Sequence, residues 1–325
     1  SSPVKKKISR LTALFKPAEF SACELLVMRI LFALVVWNVI PERLNLHEQA
    51  APVGMAKWLG MDFTFLSDPE TLSALRWVLA VALALYCSGR LLFAALPYML
   101  FMTVSCGTLI NSQKAATHST QIIALCVLAQ CAWHLYAAFT RRQSQLPSSS
   151  RRLMEGRMAV WYTQQMIAAA YIVTAMTKWL AKGSWIADSR FFPLQVIKSQ
   201  KMDYYNSLQP PEQAAGSYGI ISESLAPFAL WMEKTMMSHP EWAPVFLAPG
   251  FLLELLAVFL LAGRKIGGAY ALILILFHLT IAEMMNLKFV YHIFVLGIYF
   301  TGIAFWTARG IEAIKVAPRR NQAAQ

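Results

Sequence analysis

Lys178 is the one charged residue in the apolar run from Met158 to Ala181, MAVWYTQQMIAAAYIVTAMTKWLA. At the centre of a membrane-spanning helix a lysine costs roughly 2.5–3.5 kcal/mol on insertion scales. Near a helix end it snorkels and costs less. Tyr171, Thr174 and Lys178 stand at i, i+3 and i+7, so they share one helix face. An ionisable residue inside a span marks a substrate path, a proton relay or an ion pair. A snorkelling interfacial lysine is the structural alternative. Other side chains near apolar segments that can move protons, and that lie on the same expected side or mid-span, are His118 in ATHST, His278 and Glu283 in FHLTIAEMM, His292 in VYHIF, and Glu254 in GFLLELLAVFLLAG. Glu254 falls mid-span, which requires it to be protonated, paired or turned to a cavity. His118 also reads as a solvated loop residue, His278 as an interhelical hydrogen-bond partner, and Glu283 and His292 as interfacial residues.

The elements that position these groups are membrane helices. Hydrophobic residues make up 57% of the 325, charged residues 14%, and the mean hydropathy is +0.48; soluble domains run near 25% charged. Eight apolar segments of about 20 residues each are predicted to span, near 21–40, 71–87, 91–110, 121–139, 158–181, 244–262, 267–286 and 289–307. The expected fold is all-α: a polytopic integral membrane helical bundle with a small extracytoplasmic cap over 182–243. Basic tails over 1–19 and 308–325 flank the transmembrane domain, 20–307. The first apolar segment carries Glu24 and Arg29 and lacks a clear small-residue cleavage site, so it reads as a retained helix rather than a signal peptide. The five cysteines all fall in apolar stretches without a CxxC pair. Buried free thiols are expected, with neither a disulfide framework nor a metal site.

Charge then orients the spans. With the N-terminus in the cytoplasm, the inner segments are the N-tail, Ser88–Arg90, the loop around RRQSQLPSSSRR, Gly263–Gly267 and the C-tail. They hold 17 of the 29 Lys and Arg but only 3 of the 17 Asp and Glu. That asymmetry is the positive-inside signature. The net charge of +12 is therefore read as topology, not as nucleic-acid binding. Both termini are expected in the cytoplasm, and the inner membrane of a bacterium is the expected location.

The segment 217–237 is apolar but holds Glu223, Pro227, Glu233 and Lys234. It reads as an interfacial or re-entrant helix, with Trp231 and Trp242 at headgroup depth. A connection as long as 182–243 is more often functional than idle. In this topology His118, Lys178, Trp185, His278, Glu283 and His292 all fall towards the outer side and are expected to converge on an outward-facing chamber. Arg29, one turn beyond Glu24, is expected to pair with it or with lipid headgroups. His134 and Arg141 lie towards the cytoplasm.

Three passages carry a family resemblance. ATHST (116–120), the run QQMIAAAYIVTAMTKWLAKGSW with its Tyr-x6-Lys followed by Trp, and FHLTIAEMMNLKFVYHIFVLG (277–297) resemble, in order and spacing, the HTTM domain. That domain is the membrane portion shared by vitamin K-dependent gamma-glutamyl carboxylases and many bacterial proteins, and the likeness covers about residues 20–307. The resemblance implies that Lys178 is the base that deprotonates a lipid-soluble hydroquinone of the vitamin K or menaquinone kind. His118 and His278 would assist, and Tyr171, Trp185, Glu283 and His292 would line the substrate site. A peptide, or a separate protein on the extracytoplasmic side, would be the partner. The chain departs from the carboxylases in three ways. A member without their large lumenal domain is expected, the Lys178–Trp185 interval is about two residues longer than in the carboxylases, and Met176 and Thr177 replace small residues before the lysine. It also resembles shorter bacterial members of the family, one of which matures a sporulation-delaying toxin. Two functions are therefore carried forward: a hydroquinone-using membrane enzyme, and a non-catalytic membrane partner in peptide maturation, export or immunity. A transporter is the weaker expectation, because no inverted repeat or pair of Gly/Pro-broken spans is visible.

Overall fold

Local signals account for where the helices begin and end. The structure, a computed structural model, describes residues 15–44, 60–112, 118–140, 147–180, 222–285 and 287–322, and their regular structure is entirely helical. Helix α1 (Ala22–Val39) opens on a capping box: the Ser21 N–H donates to Glu24 Oε2 (2.7 Å) and the Glu24 N–H to Ser21 Oγ (3.2 Å). Helix α2 (Pro69–Ser88) starts with proline, pre-set for a first turn, under an Asp68 cap. The Thr71 hydroxyl and backbone N–H both donate to that carboxylate and hold it below its ordinary range. Gly89 ends α2 in the left-handed region, φ +68°.

There follow α3 (Leu92–Ser112), with Pro97 inside it, α4 (His118–Thr140) and α5 (Ser148–Leu180). Beyond these come α6 (Ser222–Ser238), α7 (Ala243–Leu255), α8 (Gly263–Met285), α9 (Val290–Tyr299) and α10 (Ile303–Gln322). Six segments are long and apolar enough to cross a bilayer: α1, α2, α3, Thr120–Thr140, Pro240–Leu261 and Gly263–Ala282. The pair Val290–Tyr299 and Ile303–Ile314, bent by 53°, is a seventh only when taken as one broken span rather than as a re-entrant loop. The eighth expected segment is α5, which at 33 residues is about 50 Å long but less apolar than the rest. Gln164 and Gln165 lie mid-helix, and a polar head, SSSRR, precedes them. The protein is an integral membrane helical bundle.

The chain divides into two units, one of Ser1–Ala168, Phe259–Leu272 and Tyr291–Gln325, the other of Ala169–Val258 and Ile273–Val290. In the first unit α3 packs on α4 and α2, and α1 on α2 and α10. Its centre is a polar bridge inside an apolar core. Tyr86 donates to Gln130 Oε1 (2.8 Å), and Gln130 Nε2 donates to the Tyr299 hydroxyl (3.1 Å). Phe32 lies against both tyrosine rings. The break after α9 is closed the same way, with Gln164 Nε2 donating to the Tyr299 carbonyl at 2.7 Å. Away from water, a carbonyl freed by a helix break needs such a side-chain partner. So Gln164, one of the two glutamines that make α5 less apolar, is buried and bonded. Glu24 also accepts from Arg264, whose guanidinium covers the Phe20 and Phe305 rings. Of the two expectations for Arg29, Glu24 or lipid headgroups, the first is not met, since Glu24 takes a partner far along the chain. Cys106, Cys126 and Cys131 are buried free thiols, while Cys23 and Cys87 are only partly covered.

In the second unit Met232 and Met236 of α6, an i, i+4 pair, pack with Ala243 and Met285, flanked by Phe246 and Ile281. Phe228, Trp231 and Met237 of the same helix stay exposed. The expected cap over 182–243 lies outside the described residues as far as 221; its remainder is α6 and the turn Pro240–Trp242.

Candidate functional site

The C-terminal part of α5 enters the second unit with an apolar environment on one face and one cation. Tyr171 and Ala175 are buried there, and Lys178 follows on the same stripe, i, i+4 and i+7. Thr174, expected on that face, is exposed and turns its hydroxyl back to the Ala170 carbonyl (2.7 Å). Lys178 Nζ donates to both carboxylate oxygens of Glu254, at 2.8 and 2.6 Å. The glutamate side chain is 8% exposed and the lysine 26%. Of the three fates open to a mid-span carboxylate, Glu254 has the paired one.

Helix α7 places that carboxylate. Its residues Leu252 and Leu255 are exposed, and Glu254 turns inward with Leu247 and Gly250. Gly250 lets the helix approach the Phe277 ring; a Cβ there would lie 2.5 Å from Phe277 Cε2. Gly250→Ala is therefore expected to destabilise the protein by about 1–3 kcal/mol through overpacking. The change is measurable as a lowered unfolding midpoint in detergent; an unchanged midpoint would show that the ring yields freely.

About two turns back along α5, the Tyr171 hydroxyl and His278 Nε2 are 2.6 Å apart, with both side chains buried. With a neutral imidazole protonated at Nδ1, Tyr171 donates and Nε2 accepts. The Phe277, Phe289 and Tyr171 rings surround the imidazole at 5.1–5.6 Å between centroids. Trp179 stacks on Phe251 beside the ion pair. The second unit thus holds an amine, a carboxylate, a phenol and an imidazole in two hydrogen-bonded pairs, a set able to take up and pass on protons.

Of the residues singled out in the sequence, Lys178, Tyr171 and His278 occupy this unit. Glu283 lies on α8 of the same unit, with its side chain outside the description. His118 begins α4 and His292 lies on α9, both in the first unit; the His118 side chain and all of Trp185 lie outside the described residues. Glu254 was visible as a mid-span acid but not as the partner of Lys178. The available signal was one unmatched acid and one unmatched base in separate apolar segments, which favours a pair. Among the described residues no three His, Cys, Asp or Glu side chains cluster to hold a metal ion.

Fold and site together define an integral membrane helical-bundle protein with a lysine–glutamate pair in its apolar interior. Neither protein-family models nor curated proteins nor solved structures match the chain.

Proposed function

We propose that this is an HTTM-type protein of the bacterial inner membrane, with both termini cytoplasmic, in which Lys178 acts as a base towards a lipid-soluble hydroquinone. The observation that carries the reading is the Lys178–Glu254 pair. The pair is neutral as a whole, so passing a proton from the ammonium to the carboxylate creates no net charge. The amine is then free to accept a proton from a bound acid. In a medium that penalises isolated charge, the carboxylate offers a place for the ammonium proton within the pair, and the two groups titrate as a unit. Tyr171 and His278 offer a second proton path, and His118 is assigned a helping role on the family resemblance. Trp185, Glu283 and His292 are assigned to substrate binding on the same ground.

A quinol of the vitamin K or menaquinone class fits this flank. Val173, Met176, Trp179 and Leu180 are exposed on α5 beside the pair, an apolar surface suited to lateral approach from lipid. When bound, such a molecule supplies an acidic phenol and reducing equivalents for oxygen. The acceptor would be a peptide, or a segment presented by a separate extracytoplasmic protein.

The test is oxygen uptake by the purified protein with a reduced menaquinone analogue. Wild type should consume oxygen, and Lys178→Ala should lose at least 100-fold, a typical general-base contribution being about 10²–10⁴. Uptake equal in both, from folded protein, would refute the base assignment. A non-catalytic role in peptide or toxin maturation, export or immunity is favoured by one feature: bonding of both Glu254 oxygens by one lysine is also the geometry of an interhelical lock. Lys178→Arg separates the two, since arginine keeps the lock but cannot deliver a neutral base.

A further inference from the structure

Arg29 lies on α1, about 10 Å along the axis from its first residue. Glu24, the nearest acid by spacing, is taken up by Ser21 and Arg264. Among the described residues no carboxylate pairs with Arg29. Its guanidinium instead lies over two glycines: a Cβ at Gly89 would collide with Nη1, and one at Gly156 would sit 3.4 Å from Nη2. Gly89, the left-handed cap of α2, and Gly156 thus both present bare backbone to this group.

The guanidinium borders an open cavity of about 650 Å³, within the usual range of roughly 300–1,000 Å³ for small-ligand sites. Arg29, Arg90 and Arg152 line it with His134 and, among the described residues, one carboxylate, Glu155. The lining comes from the start of α1, the α2–α3 turn, the end of α4 and the start of α5, which gather at one end of the first unit. In the charge-derived topology this is the basic end. Leu91 and Phe93 line the same cavity and are 53% and 55% exposed. Leu91 holds φ +49°, a left-handed conformation that costs a leucine about 1–2 kcal/mol. A strained, exposed leucine is thus kept at the rim of a basic cavity.

We propose that this cavity binds a phosphate oxyanion, supplied by the headgroup of an anionic phospholipid. Guanidinium groups match phosphate oxygens in two-point contacts, and basic pockets between membrane helices accommodate anionic headgroups. The exposed apolar rim suits acyl chains, which inorganic phosphate would leave unused.

The experiment is native mass spectrometry of the full chain in detergent, with phosphatidylglycerol and phosphatidylcholine in turn. Wild type should retain phosphatidylglycerol in clear preference. Arg90→Gln/Arg152→Gln alters two exposed side chains and should weaken that retention about 25-fold, roughly fivefold per charge. Arg29→Gln should weaken it further, and the double variant keeps the test meaningful if Arg29→Gln does not fold. Equal retention of the two lipids, or wild-type retention by the double variant, would overturn the site. Displacement of phosphatidylglycerol by inorganic phosphate, with the same arginine dependence, would overturn the lipid as the source of the phosphate.

Discussion

Lys178→Met alone is expected to lower stability by about 3–5 kcal/mol, and Lys178→Met/Glu254→Leu to recover most of that loss. The single change leaves a carboxylate with 8% exposure facing apolar neighbours, where it must either stay charged without a partner or take up a proton. The double change removes both desolvation penalties and leaves side chains that fit an apolar interior. Glu254→Leu alone should be milder, because Lys178 is 26% exposed and its long stem lets the ammonium reach the interface. Denaturant unfolding of all four proteins in one detergent gives the coupling energy. Additive losses would mean that the two groups do not depend on each other. The pair would then also lose its standing as a proton-sharing unit. Stability and oxygen uptake should be read together, since a folded double variant without uptake would separate chemistry from architecture.

The second large effect is at Phe32. Phe32→Ala is expected to cost about 3–5 kcal/mol, the range for deleting a fully enclosed aromatic side chain. The ring has no exposed surface and touches Tyr86 and Tyr299 at centroid distances of 6.2 and 5.7 Å. Those tyrosines are bridged by Gln130, so a void there also loosens a buried polar network. Leu34→Ala on the same helix is the control. At 56% exposure it faces outward, where lipid replaces the missing atoms, and it should shift the unfolding midpoint far less. Equal shifts would mean that α1 is not held by the face that carries Phe32.

Much of the architecture was legible in the chain itself, because helix existence and helix ends are local properties. Apolar runs of membrane length placed six of the eight expected spans on helices long and apolar enough to cross, and Ser21, Asp68 with Pro69, and Gly89 mark termini through caps that act within a few residues. Lys178 stood out because one charge in an apolar run is costly wherever the run ends up. Tertiary structure alone decided the partners: Glu254 for Lys178, His278 for Tyr171, Arg264 rather than Arg29 for Glu24, and Gln164 for the carbonyl at the α9 break. The physical reason lies in the solvent. A helix in water shows its buried face by an apolar stripe against a polar one. A helix in lipid is apolar all round, and its contacts rest on close packing and hydrogen bonds rather than on hydrophobic contrast. Sequence could therefore say that an acid and a base in apolar runs are costly unless paired, neutralised or brought to water, and only the packed helices could say that they pair with each other.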